Sequence, residues 1–216
     1  VLVATGVVDE LPPIEGIADV WGHQVFQCPY CHGWEARDRA WAVLVEKPEL
    51  LPWARLLRGW TSRLVILTNG NELLQEERRS LELQGIRVRT ARIERLVTPS
   101  RDGEPHLTDV ALVGESPEPC EALFVRPVQR PAPLVTALGL ALDEQGFVRL
   151  DEQRQSSMPG VYVAGDATTP MQAAIFAAQT GMATAAFLVH GLVHETLDPV
   201  SYTHLRAHEH VLDLVC

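Results

Sequence analysis

The sequence predicts an α/β chain built on a parallel, doubly wound, three-layer sheet. Two observations carry this. Short apolar runs at residues 41–45, 64–67 and 86–88 recur about two dozen residues apart, the spacing of βαβ units. The segments between them, 50–60 and 73–83, place apolar residues at helical spacing.

The elements follow in order. Residues 1–4 read as a buried strand ended by Thr5-Gly6, and Pro12, Pro13 and Gly16 mark a loop. Residues 41–45 form a strand, 50–60 a helix, and 64–67 a strand closed by Thr68-Asn69-Gly70. Residues 73–83 form an amphipathic helix ended by Gly85, and 86–88 a third strand. The pattern then changes to short strands at 93–97, 107–113 and 122–125, with a hairpin signal at Arg101-Asp102-Gly103. Pro127, Pro131 and Pro133 suggest a domain crossing, strands follow at 147–150 and 161–164, and an Ala-rich helix spans 171–190. The chain opens at Val1 inside an apolar run rather than at Met, which leads to the expectation of a fragment lacking its first part.

Composition narrows the function classes. The net charge is −10, from 18 basic against 28 acidic residues, which argues against nucleic acid and anionic membrane surfaces as partners. No apolar run in the sequence approaches a membrane span, and no signal peptide is visible. Few cysteines with one reactive-looking pair suit a reducing cytoplasm.

That pair is Cys28 and Cys31, in Phe26-Gln27-Cys28-Pro29-Tyr30-Cys31-His32-Gly33-Trp34-Glu35. Cysteines at this spacing close an easily reversed disulfide and lower the thiolate pKa of one partner. Pro29 and Tyr30 suit a tight turn, and His32 could move a proton near neutral pH. Half a zinc site is the competing reading, but Cys120 and Cys216 stand alone, and His23 and His32 do not give a finger spacing. A permanent structural disulfide would close too short a loop to stabilise much. His32 as an ordinary surface histidine stays open.

Near the other end, a strand delivers Gly165-Asp166 to a turn before a helix. Glycine lets a ligand approach the backbone, and an aspartate there accepts from ligand hydroxyls or merely caps the helix. Met171-Gln172-Ala173-Ala174 is a place where a flat ring could lie against backbone.

Taken in order, Thr5-Gly6, Cys-Pro-Tyr-Cys-His-Gly-Trp-Glu, a βαβ unit, Gly165-Asp166 and Gln172-Ala173-Ala174 resemble the thioredoxin-reductase-like, FAD-dependent pyridine nucleotide-disulfide oxidoreductases. The resemblance covers residues 1–193. It implies two nested Rossmann-like domains: an incomplete FAD domain made of 1–26 and 127–193, and an inserted nicotinamide-type domain, 27–126, carrying the cysteine pair. It implies FAD held by Thr5, Gly6, Gly165, Asp166, Gln172 and Ala173; on the ligand count given above, no metal is expected. Cys31 would face the flavin, Cys28 would attack the substrate disulfide, and His32 would serve as acid or base. The implied partner is a thioredoxin-like protein or a small dithiol or disulfide, and the full-length protein is expected to be a homodimer. Besides this enzyme, a non-catalytic metal-binding module or an inert truncated product are the competing expectations.

Two segments depart from the family pattern. Glu46-Lys47-Pro48-Glu49, after the strand at 41–45, has no glycine to admit a pyrophosphate, and Asn69-Gly70-Asn71-Glu72 offers no arginine for a 2′-phosphate, so NADPH use is doubtful. Residues 201–216 carry His204, His208 and His210 but resemble a translated adapter read-through, so a non-native tail is expected.

Overall fold

The structure, a computed structural model, describes residues 1–212, with side chains through Glu195. In chain order it contains β1 (Leu2–Val3), β2 (Val7–Glu10), β3 (Val25–Phe26), α1 (Pro29–Ala36), β4 (Trp41–Leu44), α2 (Leu51–Leu56), β5 (Leu64–Leu67) and α3 (Gln75–Leu83). There follow β6 (Arg87–Arg89), β7 (Ile93–Val97), β8 (Ser100–Arg101), β9 (Glu104–Pro105), β10 (Asp109–Leu112), β11 (Glu118–Pro119) and β12 (Ala122–Phe124). The chain closes with β13 (Val128–Pro131), α4 (Pro133–Ala137), β14 (Tyr162–Val163) and α5 (Ala174–Leu212). It divides into two compact units: a central one, Glu10–Val128, and a flanking one made of Val1–Asp9 and the chain from Gln129 onward. The boundary expected at Phe26 therefore falls earlier, because β3 pairs in parallel with β12 and is a strand of the central sheet.

The central unit holds a five-stranded sheet in the order β3-β12-β4-β5-β6, with every pairing parallel. Strand side chains alternate between faces. Trp41, Val43, Val45, Leu64 and Ile66 face Leu51, Ala54, Leu57 and Leu81 of the helical segments. Ala42, Leu44, Val65 and Leu67 face Leu96, Leu107, Val110 and Leu112. The second covering layer is thus the antiparallel sheet β11-β10-β7 rather than more helices. Each fully buried aliphatic chain contributes about 1.5–3 kcal/mol, so these two clusters dominate the unit's stability. Glu118, 1 % exposed, accepts from Arg87 and from Arg89 (2.8 Å), tying the antiparallel layer to edge strand β6.

Three local expectations change. Residues 29–36 form a helix, not a tight turn, because Pro29 suits the first helical position and Cys28 caps the end. The helix expected over 50–60 breaks into a 3₁₀ turn at Pro48–Leu50, α2, and a second 3₁₀ turn at Leu57–Gly59. Residues 147–150 form no strand: Val148 bridges Leu142, while its N–H donates to Ala167 O (2.8 Å). The hairpin expected at Arg101-Asp102-Gly103 is present as β8 and β9, with Asp102 and Gly103 at φ 54° and 90°.

In the flanking unit β1 and β14 pair in parallel, β2 pairs with β13, and Val3, Val135, Leu140, Val148, Val161 and Val163 share one core. The helix expected at 171–190 begins at Ala174 and continues to Leu212. Its Ala174–Glu195 stretch is long and apolar enough to cross a membrane by length and composition alone, contrary to the reading of the sequence. Helix α5 also takes in the first part of the tail expected to be non-native; residues 213–216, and the side chains of His204, His208 and His210, lie outside the described residues.

Candidate functional site: a dithiol helix and a strand-edge cradle

In the central unit Cys28 and Cys31 are joined as a disulfide, with Cα atoms 5.3 Å apart. The pair opens α1. Cys28 is the N-cap, and its Sγ accepts the Cys31 main-chain N–H at 3.2 Å. Once the disulfide is reduced, that N–H and the positive end of the helix favour negative charge on the Cys28 sulfur. Cys28 is half-buried and Cys31 exposed.

Packing fixes where α1 sits. Its face carries Gly33, and a Cβ there would lie 2.7 Å from Trp60 Nε1, so the helix can rest on the indole only with glycine at this position. Rings continue beneath the helix. Trp60 stacks on Trp41 (6.4 Å between centroids), Trp41 meets Phe124 (4.4 Å), and Phe124 meets Phe26 (5.8 Å). His32 stacks on Phe26 at 4.5 Å, so the ring expected to act as acid or base is oriented by an aromatic neighbour. Trp41 Nε1 donates to Ala36 O at 2.7 Å and pins the far end of α1. None of these aromatic partners was singled out in the sequence, because they come from separate strands and a distant turn.

Other cysteine chemistry is excluded at Cys120. Its thiol is fully buried, donates to Ala122 O at 3.3 Å, and is pushed up to about 12 by burial. Among the described residues no group of three or more His, Cys, Asp and Glu stands ready for a metal.

The other expected residues lie in the flanking unit. Thr5-Gly6 follows β1 and Gly165-Asp166 follows β14; because the strands are parallel, with Val3 opposite Val163, both turns emerge at one sheet edge. Carboxyl ends of parallel strands are where α/β proteins place ligands. Gly6 and Gly165 have φ of 66° and 77°, the left-handed region that glycine occupies freely. Gly165 N–H donates to Thr180 Oγ1 (3.0 Å), and Thr168 Oγ1 donates to Gly165 O (2.8 Å). The half-buried Asp166 carboxylate accepts no hydrogen bond from the described residues, and it caps no helix, since Ala164 is the N-cap of the 3₁₀ turn Gly165–Thr168. A free acceptor on a glycine turn fits the hydroxyl-rich chain of a flavin dinucleotide. Gln172 instead spends its amide in a reciprocal pair with Gln129, 2.8 Å in each direction, and Gln129 also donates to Asp9 at 2.9 Å. Ala173 O accepts Ala177 N–H (2.9 Å), starting α5. Thr180 and Gln129 carried no sequence signal.

The edge beyond β4 and β5 fits a nicotinamide dinucleotide poorly. The chain after β4 enters a 3₁₀ turn at Pro48. Glu46 Oε1 accepts from Asn69 Nδ2 (2.8 Å), and Asn69 Oδ1 accepts from Ile93 N–H (2.9 Å), which links the ends of β4, β5 and β7. An arginine does reach this turn from elsewhere: Arg92 Cγ is 2.8 Å from where a Gly70 Cβ would stand. Arg126, after β12, lies over Trp53 at 4.8 Å.

The family model described as pyridine nucleotide-disulphide oxidoreductase matches residues 54–183. Thioredoxin reductase sirT of Leptosphaeria maculans is 31 % identical over 195 residues, covering 84 % of this chain and 59 % of the relative. The crystal structure of HlmI superposes with TM-score 0.80 at 33 % identity over 95 % of this chain and 64 % of that one. An oxidoreductase from Agrobacterium tumefaciens gives 0.77 at 28 %, over 89 % and 64 %. The chain thus spans 59 % of the sirT protein's length and 64 % of the other two. With the family model matching more than half of its residues, the chain belongs to the pyridine nucleotide-disulphide oxidoreductases, in their thioredoxin-reductase-like branch.

Proposed function

We propose that the protein is a flavin-dependent thiol–disulfide oxidoreductase in which Cys28 and Cys31 carry the electrons. The observation behind this is the disulfide at the N-terminus of α1, with a main-chain N–H aimed at the Cys28 sulfur. In the reducing direction the Cys28 thiolate attacks a substrate disulfide, one substrate sulfur leaves as thiolate, and a mixed disulfide forms. Cys31 then attacks Cys28 Sγ, the second substrate sulfur leaves, and two electrons have passed from the dithiol to the substrate. Run backwards, the same steps oxidise a substrate dithiol. His32, oriented by Phe26, supplies or removes a proton at the departing sulfur.

FAD bound at the flanking unit would supply the two-electron couple that re-sets the cysteines. Asp166 would accept from its hydroxyls, the left-handed turns at Gly6 and Gly165 would allow close approach, with Thr5 beside them, and the backbone of Gln172 and Ala173 would meet the ring. The poor fit of the β4–β5 edge supports a donor or acceptor other than NADPH. The partner is a thioredoxin-like protein or a small dithiol or disulfide, in the reducing cytoplasm, away from nucleic acid and membranes, with the protein acting as a homodimer.

The test is a thiol titration of the folded protein before and after reduction. The count should rise by two per chain, and the rise should vanish in Cys28→Ser. An unchanged count would refute the redox pair.

A further inference from the structure

Two large aromatic side chains stand in solvent beside the disulfide. Tyr30 is 75 % exposed and Trp34 67 % exposed. They are four residues apart on α1 and so share a face, and Trp34 is three residues from Cys31, the distance at which helical side chains neighbour each other. Solvent exposure of one aromatic is ordinary, but two on the same face beside the exposed cysteine of a redox pair, Cys31, form an aromatic contact surface.

Both rings are held. Tyr30 meets Trp60 edge-on at 5.5 Å. Trp34 carries the Arg37 guanidinium over one face at 4.0 Å, and Arg37 Nη1 donates to Trp34 O at 2.6 Å, so that cation is anchored to the residue it covers. Held rings lose less freedom when a ligand stacks on them, which makes the contact more productive than one from mobile side chains.

We infer that Tyr30 and Trp34 are specificity-determining residues for the thiol–disulfide exchange, selecting substrates that carry an aromatic or otherwise planar apolar group within a few atoms of the reacting sulfur. This rests on the reading of Cys28–Cys31 as the exchanging pair. As a substrate sulfur approaches the Cys28–Cys31 pair, its neighbouring planar group lies on the exposed surfaces of Trp34 and Tyr30, which flank Cys31 on α1. A substrate without such a group makes the same sulfur chemistry but loses the stacking.

The experiment uses the reduced chain in a Cys216→Ser background, so that the unreactive Cys120 is the only other thiol. Its oxidation is followed by stopped flow with two neutral probes, dithiodipyridine and hydroxyethyl disulfide. The reduced pair attacks each probe, releases two probe thiols and closes the Cys28–Cys31 bond. Comparing each variant with the parent, probe by probe, removes the difference in leaving group. Trp34→Ala should slow dithiodipyridine by about three- to tenfold, the worth of an aromatic pair, with hydroxyethyl disulfide within about twofold; Trp34→Phe should restore most of the loss. Tyr30→Ala should shift the ratio the same way, and thermal melts verify that both variants fold. Equal slowing of both probes, or slowing of neither, overturns the proposal. A reduced parent chain that reacts with neither probe refutes instead the assignment of Cys28–Cys31 as the exchanging pair, and the specificity proposal with it.

Discussion

Gly33 packs directly onto the indole of Trp60, with room for no more than a hydrogen where a Cβ would lie 2.7 Å from Nε1. The redox helix is therefore positioned by a contact that any other residue would break. Gly33→Ala should lift α1 off Trp60, lower stability by about 1–3 kcal/mol as overpacking does, and slow closure of the Cys28–Cys31 bond. Urea denaturation and re-oxidation kinetics measure both effects. A variant as stable and as fast as the parent would show that α1 adjusts freely.

The two cysteines should differ once reduced. Cys28 Sγ receives the Cys31 N–H and caps the helix. Cys31, though more exposed, has neither advantage. Cys28 should therefore be alkylated faster by iodoacetamide in mildly alkaline solution, as mass spectrometry of partly labelled protein would reveal. Faster labelling of Cys31 would mean that access outweighs thiolate stabilisation.

Asp166→Ala should weaken flavin retention by the purified holoprotein while leaving the melting curve of the flavin-free protein nearly unchanged. The carboxylate has no partner among the described residues, so its loss breaks no bond within them, whereas a charged acceptor for ligand hydroxyls is worth about 1.5–3 kcal/mol. Full flavin retention would remove Asp166 from the site.

NADPH should reduce the bound flavin slowly or not at all. Glu46, Asn69 and Ile93 close the edge where a pyrophosphate would need open backbone, and Pro48 begins a 3₁₀ turn there. Stopped-flow mixing with NADPH should leave the flavin absorbance nearly intact, while dithionite bleaches it. Rapid, saturable bleaching would show that Arg92 and its neighbours bind the nucleotide in another way.

Cys120 should make the protein less stable in alkali. Burial raises its thiol from the ordinary 9.0 to about 12. Above the unfolded value the unfolded chain releases a proton that the folded chain keeps, so the stabilisation present below about 9 is lost as pH rises toward 12. The slope from this one group is about −1.4 kcal/mol per pH unit inside that window. Urea midpoints measured from about pH 8 to pH 10.5 should fall more steeply for the parent than for Cys120→Ala. Parallel slopes would mean that the thiol ionises in the folded state.

The sequence by itself determined the cysteine pair, the βαβ alternation and the two strand-to-glycine turns. Each is a local pattern: a spacing, a run of apolar residues at 41–45 or 64–67, or a glycine needed for a left-handed turn. Tertiary structure alone decided how those patterns are used. Whether residues 29–36 continue as a helix depended on a seat for Gly33, which Trp60 supplies from a turn far along the chain. The strand expected at 147–150 did not form because Val148 spends its N–H on Ala167. The antiparallel cover of the central sheet and the Glu46–Asn69–Ile93 link join residues distant in sequence. Such contacts depend on which faces and strand ends meet after folding, and periodicity along a chain does not encode that.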